Sequence, residues 1–492
     1  MSKFSGHVAI HAVTLAMLHR SRVTVTRGAT KDIALRGGHL SETRLKTFVS
    51  LVITSSIFLF SGLVLGAEFR TSVRGESLVR SASYQHAREE IVPREPPHEA
   101  EGYAARPPDA GYGGFEPHGA RGVGDACPWG ADYVCPTGAG WTYWGSLEFL
   151  FWWREGQDLP PLVTSGPATR EQASAGVLGV AGTELLYPRE SQLGGVRPGG
   201  RLSLGAWFDP CQFGGVGARW FALGDSTSDF EQDSSVVPVL ARPFFNVEIG
   251  QEDAMQVAYP GSTTGFLSVG NTSRVSGGDV FYRRMVFESN RRRLDLILGY
   301  QFARIDTDLS ITSQQQFVAS GGTQPEGTEV RVSDSFDTRN SYHAGEIGLW
   351  GDYDRGPVTW SLLAKVGLGS MNQRTEIAGR TSTSVPQLAP TVTNQGLLAL
   401  DTNSGIFKRN VFAVSPEVAF NGAYHLNEGI DLTFGYSFIY WNNVVQPASQ
   451  IDRGVNPSQI TGGLEGAARP AFRDSDTSYF VQGLNFGVQC VW

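Results

Sequence analysis

From Trp141 to the end of the chain, apolar and polar residues alternate with a period of two, segment after segment. That is the period of a strand with two unlike faces, not of a helix. In 430–441 Ile430, Leu432, Phe434, Tyr436, Phe438 and Tyr440 share one face, and Asp431, Thr433, Gly435 and Ser437 the other. In 358–369 Val358, Trp360, Leu362, Ala364, Val366 and Leu368 oppose Thr359, Ser361, Lys365 and Gly367. In 293–304 Leu294, Leu296, Leu298, Tyr300 and Phe302 oppose Asp295, Gly299 and Gln301. The last segment sets Leu484, Phe486, Val488, Cys490 and Trp492 against Asn485, Gly487 and Gln489. Further alternation covers 141–153, 201–208, 215–223, 279–288, 342–352 and 410–424. Soluble strands usually run about five or six residues. These are nearer the ~10 residues with which a tilted strand crosses a bilayer.

The connections carry a second pattern. Long stretches (154–200, 224–278, 306–341, 371–409 and 442–477) alternate with short ones (209–214, 289–292, 353–357 and 425–429). A soluble sandwich has no reason to gather every long connection at one end. A membrane barrel does, with tight periplasmic turns and long outer loops. The sequence therefore predicts an all-β fold, a transmembrane antiparallel β-barrel of about 10–12 strands over 141–492. The upper count applies if 224–278 hides a hairpin near Phe244–Ile249.

Ahead of the barrel, Phe48–Leu65 is one apolar run, preceded by Arg44 and Lys46 and closed by Gly66 and Ala67. That order is a secretory signal, so 1–67 reads as N-terminal extension plus signal peptide, with 1–43 of no assigned role. Residues 68–140, rich in Pro, Gly, Arg and Glu, have little to bury and read as a disordered periplasmic linker. Cys127 and Cys135 at its end favour a local disulfide in an oxidising compartment over a metal site.

Composition narrows the function classes. The chain has 492 residues, 60 of them Gly, 18% charged residues and a net charge of −8. With five lysines it is no helix-rich bundle, and its acidic balance argues against nucleic acid as a partner. The mean hydropathy of −0.16 excludes a polytopic helical membrane protein but suits a barrel, whose alternation averages out.

The barrel region resembles the beta-barrel porin 7 family over about 143–492. The resemblance rests on WGSLEFLFWWREGQDLPPLVTS (144–165), GGRLSLGAWFDPCQFGGVGARWFAL (199–223), RRLDLILGYQFARI (292–305) and FDTRNSYHAGEIGLWGDYDRGPVTW (336–360). The final block is FAVSPEVAFNGAYHL (412–426) with FGYSFIYWNNVVQPASQIDRGVNPSQI (434–460). It implies an outer-membrane barrel and a porin, without a solute or site residues.

The candidate lumen lining is Glu148, Arg201, Arg219, Asp295, Glu346, Lys365, Glu417 and Asp431, since charges on the lipid face are costly. They either line an ion-selective pore or pair with one another and fill it. Eight strands are just filled by side chains and sixteen leave a channel, so a count between leaves both readings open. Trp141, Tyr143, Trp144, Trp152, Trp153, Tyr440 and Trp441 at strand ends suit interfacial girdles. Phe486 and Trp492 on the closing segment resemble the terminal signal that such barrels present to their assembly machinery. No enzyme motif stands out: His343 and Glu346 are merely a pair such as many barrels offer. The expectation is a non-enzymatic, cofactor-free porin of the outer membrane that passes small polar solutes or ions by passive diffusion. Its partners would be outer-membrane lipid and the assembly machinery, its oligomeric state unassigned. The alternative is a structural or adhesive envelope protein with a closed barrel and working outer loops.

Overall fold

Strands whose apolar face needs lipid, and whose backbone groups need partners, form a barrel only if the last pairs with the first. The computed structural model, which describes residues 140–154, 156–319 and 324–492, shows that closure. The signal segment and all of the linker but Gly140 lie outside the described residues. In chain order, β1 (Thr142–Arg154) is followed by the short β2 (Val163–Ser165) and β3 (Glu184–Tyr187). Next come β4 (Gly195–Trp207), β5 (Gly214–Asp233) and the hairpin β6 (Leu240–Asn246) and β7 (Gln251–Ala258). Four long strands follow: β8 (Thr263–Ser289), β9 (Arg292–Phe317), β10 (Glu329–Arg355) and β11 (Val358–Ser384). The chain continues through β12 (Thr391–Thr393), β13 (Gly405–Asn427), β14 (Ile430–Val444), β15 (Gly454–Val455) and β16 (Thr477–Val491).

Ten of these make the wall, in the order β1-β4-β5-β8-β9-β10-β11-β13-β14-β16, and every neighbouring pair is antiparallel. β16 returns to β1, with Phe486 opposite Phe149 and Leu484 opposite Phe151. Beyond the strand ends, Tyr143 N–H donates to the Trp492 carbonyl at 2.8 Å and Trp492 N–H donates back at 2.9 Å. No described helix is long and apolar enough to cross a membrane. The hairpin sought at Phe244–Ile249 exists as β6 and β7, but it does not join the wall. It belongs to a separate sheet of β15, β6, β2, β3 and β7.

The long connections are corrected most. Of 306–341 and 371–409, residues 306–317, 329–341, 371–384 and 405–409 are strand, and so are 224–233 and 263–278. A 27-residue strand is about 90 Å long and about 70 Å tall at a tilt of ~40°, against an apolar band about 25 Å tall. The wall therefore continues far past the membrane as a crown. Its alternation continues too, with the polarity of the faces exchanged. Along β9, Leu298 and Tyr300 are exposed outward, whereas further up Ile305, Leu309 and Ile311 are buried inside and Arg304 and Asp308 face out. β10 and β11 make the same exchange, from Ile347 and Leu368 outside to Phe336 and Ile377 inside. Lipid wants the apolar residues outside; water wants them inside. The crown interior is filled by Leu162, Leu240, Phe244, Val257 and Leu397–Leu400 packed against Leu267, Leu309 and Phe336 of the wall.

One more expectation changes. Trp152 and Trp441 are fully buried in the lumen, and Trp144 lines an inner cavity, so none of the three belongs to an outer girdle. A Cβ at Gly205 would lie 2.2 Å from the Trp144 ring, which explains a Gly there in mid-strand. Trp141 and Tyr143 do stand outside. Cys211, in the turn after β4, is disulfide-bonded and Cys490 is free. Cys127 and Cys135, the pair expected to form a local disulfide, lie outside the described residues.

Candidate functional site

Antiparallel register places charged residues of opposite sign directly across from each other inside the wall. Glu148 of β1 faces Arg201 of β4, Arg219 of β5 faces Asp279 of β8, and Lys365 of β11 faces Glu417 of β13. Each pair closes. Arg201 Nε and Nη2 donate to the two Glu148 oxygens at 2.6 and 2.9 Å, and Arg219 Nε donates to Asp279 at 3.1 Å. The pairs then join across the lumen. Arg219 reaches both oxygens of Glu417 at 3.0 Å, from strands on opposite sides of the barrel. Lys365 Nζ contacts Asp279 and donates to Glu346 at 2.6 Å, while Arg201 also donates to Ser437 on β14 at 3.2 Å. Asn485 of β16 completes the circuit, donating to Glu148 at 2.9 Å and to Asn421 at 2.8 Å. The result is a plate of ion pairs and hydrogen bonds spanning the lumen.

Above the plate lies a largely apolar layer, bordered by Arg197 opposite Trp152 and by Arg154 against the Tyr479 ring. Leu150, Trp152, Phe221, Tyr342, Met371, Ile439, Trp441, Tyr479 and Val481, all buried, converge from around the wall. Trp152 packs on Phe221 at 5.3 Å between ring centroids and Trp441 on Tyr479 at 6.3 Å. Higher still, the segment after β14 is strapped in: Asn340 donates to the Val445 carbonyl and accepts its N–H, at 2.9 and 2.8 Å. Between plate and apolar layer lies a cavity of about 10 Å³. Below the plate, toward the short turns, a vestibule of about 240 Å³ opens between Trp144, Trp207, Trp350, Arg283 and Asp431.

All eight charged positions read from the sequence face this interior. Glu148, Arg201, Arg219, Glu346, Lys365 and Glu417 are brought together in the plate. Asp295 lies lower, held by Arg283 and by Arg293 at 2.9 Å, and Asp431 sits in the vestibule 2.7 Å from His425. Sequence reasoning missed Asp279, Arg283, Arg293 and Asp352. Their only signal is parity, since each falls on the inward phase of its strand, and register had to supply the partners. The Arg283 guanidinium lies 4.5 Å from the Trp350 ring centroid and donates to Asp352 at 2.8 Å. His343 and Glu346 do not converge: His343 meets the Tyr300 hydroxyl on the outside at 2.6 Å, whereas Glu346 is inside on Lys365. Phe486 and Trp492 stand on the outer face of the β16 seam.

The family model described as Putative beta barrel porin-7 matches residues 144–492, nearly the whole wall. The chain belongs to that family. No curated protein sequence matches it. Among solved structures it is similar to the outer membrane protease OmpT from Escherichia coli, with a TM-score of 0.32 and 8% identity, covering 71% of this chain and 97% of that one. It is also similar to the P. putida toluene transporter TodX, with a TM-score of 0.17 and 9% identity, covering 72% and 90%. At those scores neither likeness bears on what this porin-7 barrel does.

Proposed function

We propose that this porin-7 protein is an exported outer-membrane barrel whose lumen is closed at rest and whose crown does its work, as a structural or adhesive element of the envelope. The observation that carries the reading is the Arg219–Glu417 bridge between opposite walls, lying directly beneath a largely apolar layer. Water and ions would have to break both. Separating a buried pair of this kind costs about 3–5 kcal/mol, and hydrating the apolar layer adds to that. Outer-membrane lipid meets the apolar outer face, and the assembly machinery meets the β16 seam.

Passive diffusion of small polar solutes or ions is the second reading, favoured by the open vestibule and by the porin family itself. In that case the plate is a gate. Recording from purified, refolded protein in planar bilayers separates the two. The closed reading expects a silent membrane at modest voltage, and a steady conductance from the unmodified chain would replace it with the porin reading.

A further inference from the structure

In the plate, every buried cation has a carboxylate. Two buried cations higher in the lumen have no carboxylate in ion-pair contact among the described residues, Asp225 acting on Arg197 only at longer range. Arg154 at the top of β1 and Arg197 near the start of β4 are 4% and 3% exposed. Both lean on Ser273 of β8: Arg154 Nη1 donates to its hydroxyl at 3.3 Å and Arg197 Nη1 to its carbonyl at 3.4 Å. Arg154 Nε donates to the Leu193 carbonyl at 3.0 Å, and its guanidinium lies 5.0 Å from the Tyr479 ring centroid. What remains is a surplus of donors. Arg154 Nη2, Arg197 Nε, Arg197 Nη2, Asn271 Nδ2 and the Tyr479 hydroxyl are all buried without a hydrogen-bond partner.

A guanidinium does not deprotonate in a protein, and an unpaired charge buried in low dielectric is strongly unfavourable. Two of them touching one serine repel each other as well. Polar surroundings alone do not remove this cost; an anion does. The kind of anion follows from which nitrogens are spare. Nε and Nη2 form one edge of the Arg197 guanidinium, the edge that grips two oxygens of a carboxylate or phosphate side-on.

We propose that the upper lumen is an oxyanion site, in which Arg197 holds a carboxylate or phosphoryl group side-on and Arg154 and Tyr479 complete its coordination. The site stands apart from the plate and is the same whether the barrel conducts or not. Glu155, beside Arg154 in sequence, lies outside the described residues and is the rival counter-charge.

The test uses the full refolded chain at neutral pH and constant ionic strength, with chloride exchanged for inorganic phosphate or for acetate. The unfolding midpoint should rise by several degrees and saturate, with acetate effective if a carboxylate is the natural group and phosphate alone if it is phosphoryl. Arg197→Met, which removes the charge and keeps apolar volume, should lose that response; if it does not fold, Arg154→Met serves. Glu155→Gln should retain it. An unmodified chain indifferent to both anions overturns the proposal, as does an equal response in Arg197→Met. A response that appears only in Glu155→Gln also overturns it, because Glu155 would then be the partner.

Discussion

Arg219 and Glu417 stand five strands apart whichever way the ten-stranded wall is followed, yet they meet through two 3.0 Å contacts across the lumen. A wall of this number is narrow enough for one Arg and one Glu to span it. Strand count therefore becomes a functional quantity: it sets whether inward charges face water or each other.

Removing one end of that bridge leaves the other buried and short of counter-charge. Glu417→Ala should lower the stability of the refolded barrel by about 3–5 kcal/mol, whereas Arg219→Met with Glu417→Leu should come close to the unmodified protein. Urea unfolding followed by tryptophan emission measures both. Equal losses in the single and double variants would mean that the bridge contributes no more than packing.

The crown makes a prediction about cells. Protease added outside should cut in 385–390 and 462–468, which are irregular and largely exposed. It should spare 306–317 and 371–377, which are wall strand bonded on both sides. Cleavage inside either spared segment would return them to being loops.

The seam predicts an assembly phenotype. β16 bonds to β1 on one side and β14 on the other, and without it both keep unpaired backbone groups in lipid, at several kcal/mol each. Truncation before Tyr479 should leave transport across the inner membrane intact and abolish outer-membrane accumulation, with a partial loss on removing Trp492 alone. Fractionation and immunoblotting read both, and normal outer-membrane levels of the truncated chain would refute the role.

Asp452, in the connection between β14 and β16, supplies a pH dependence. Burial raises its pKa, but the Ala471 N–H at 2.9 Å, Arg469 at 2.7 Å and the Gly454 N–H at 3.0 Å outweigh it and hold the carboxyl below its ordinary value. A carboxylate depressed in the folded state stabilises it above the unfolded-state value, and the contribution fades as pH falls toward the folded one. Proteolysis within 462–468 should therefore quicken as pH drops through the carboxylate range. Asp452→Asn should make it fast at every pH. A rate in the unmodified chain that does not change with pH would exclude this anchor.

The membrane part of the wall could be read from composition because lipid imposes a simple demand. Outward positions such as Leu294, Leu296 and Leu298 must be apolar while Asp295 beside them must turn in, and that contrast is visible in the chain alone. The crown obeys the same period with the opposite phase, Ile305, Leu309 and Ile311 inside and Arg304 and Asp308 outside. A change of phase looks like a loss of pattern when only apolar-against-polar contrast is followed, which is why strand reads as loop there.

The order of the wall strands and the inward face of the membrane part followed from the sequence, because alternation is local and each residue's face depends only on its neighbours along the chain. Whether those charges line a channel or fill it was not local. It depended on register, which put Arg219 opposite Asp279, and on closure, which brought β5 and β13 across from each other. The same holds for Trp152 and Trp441, which look like girdle residues in sequence and are buried inside the barrel in the fold. A side chain's direction is written in its strand; what it meets there is decided by strands far away in sequence, through the diameter of the barrel they form together.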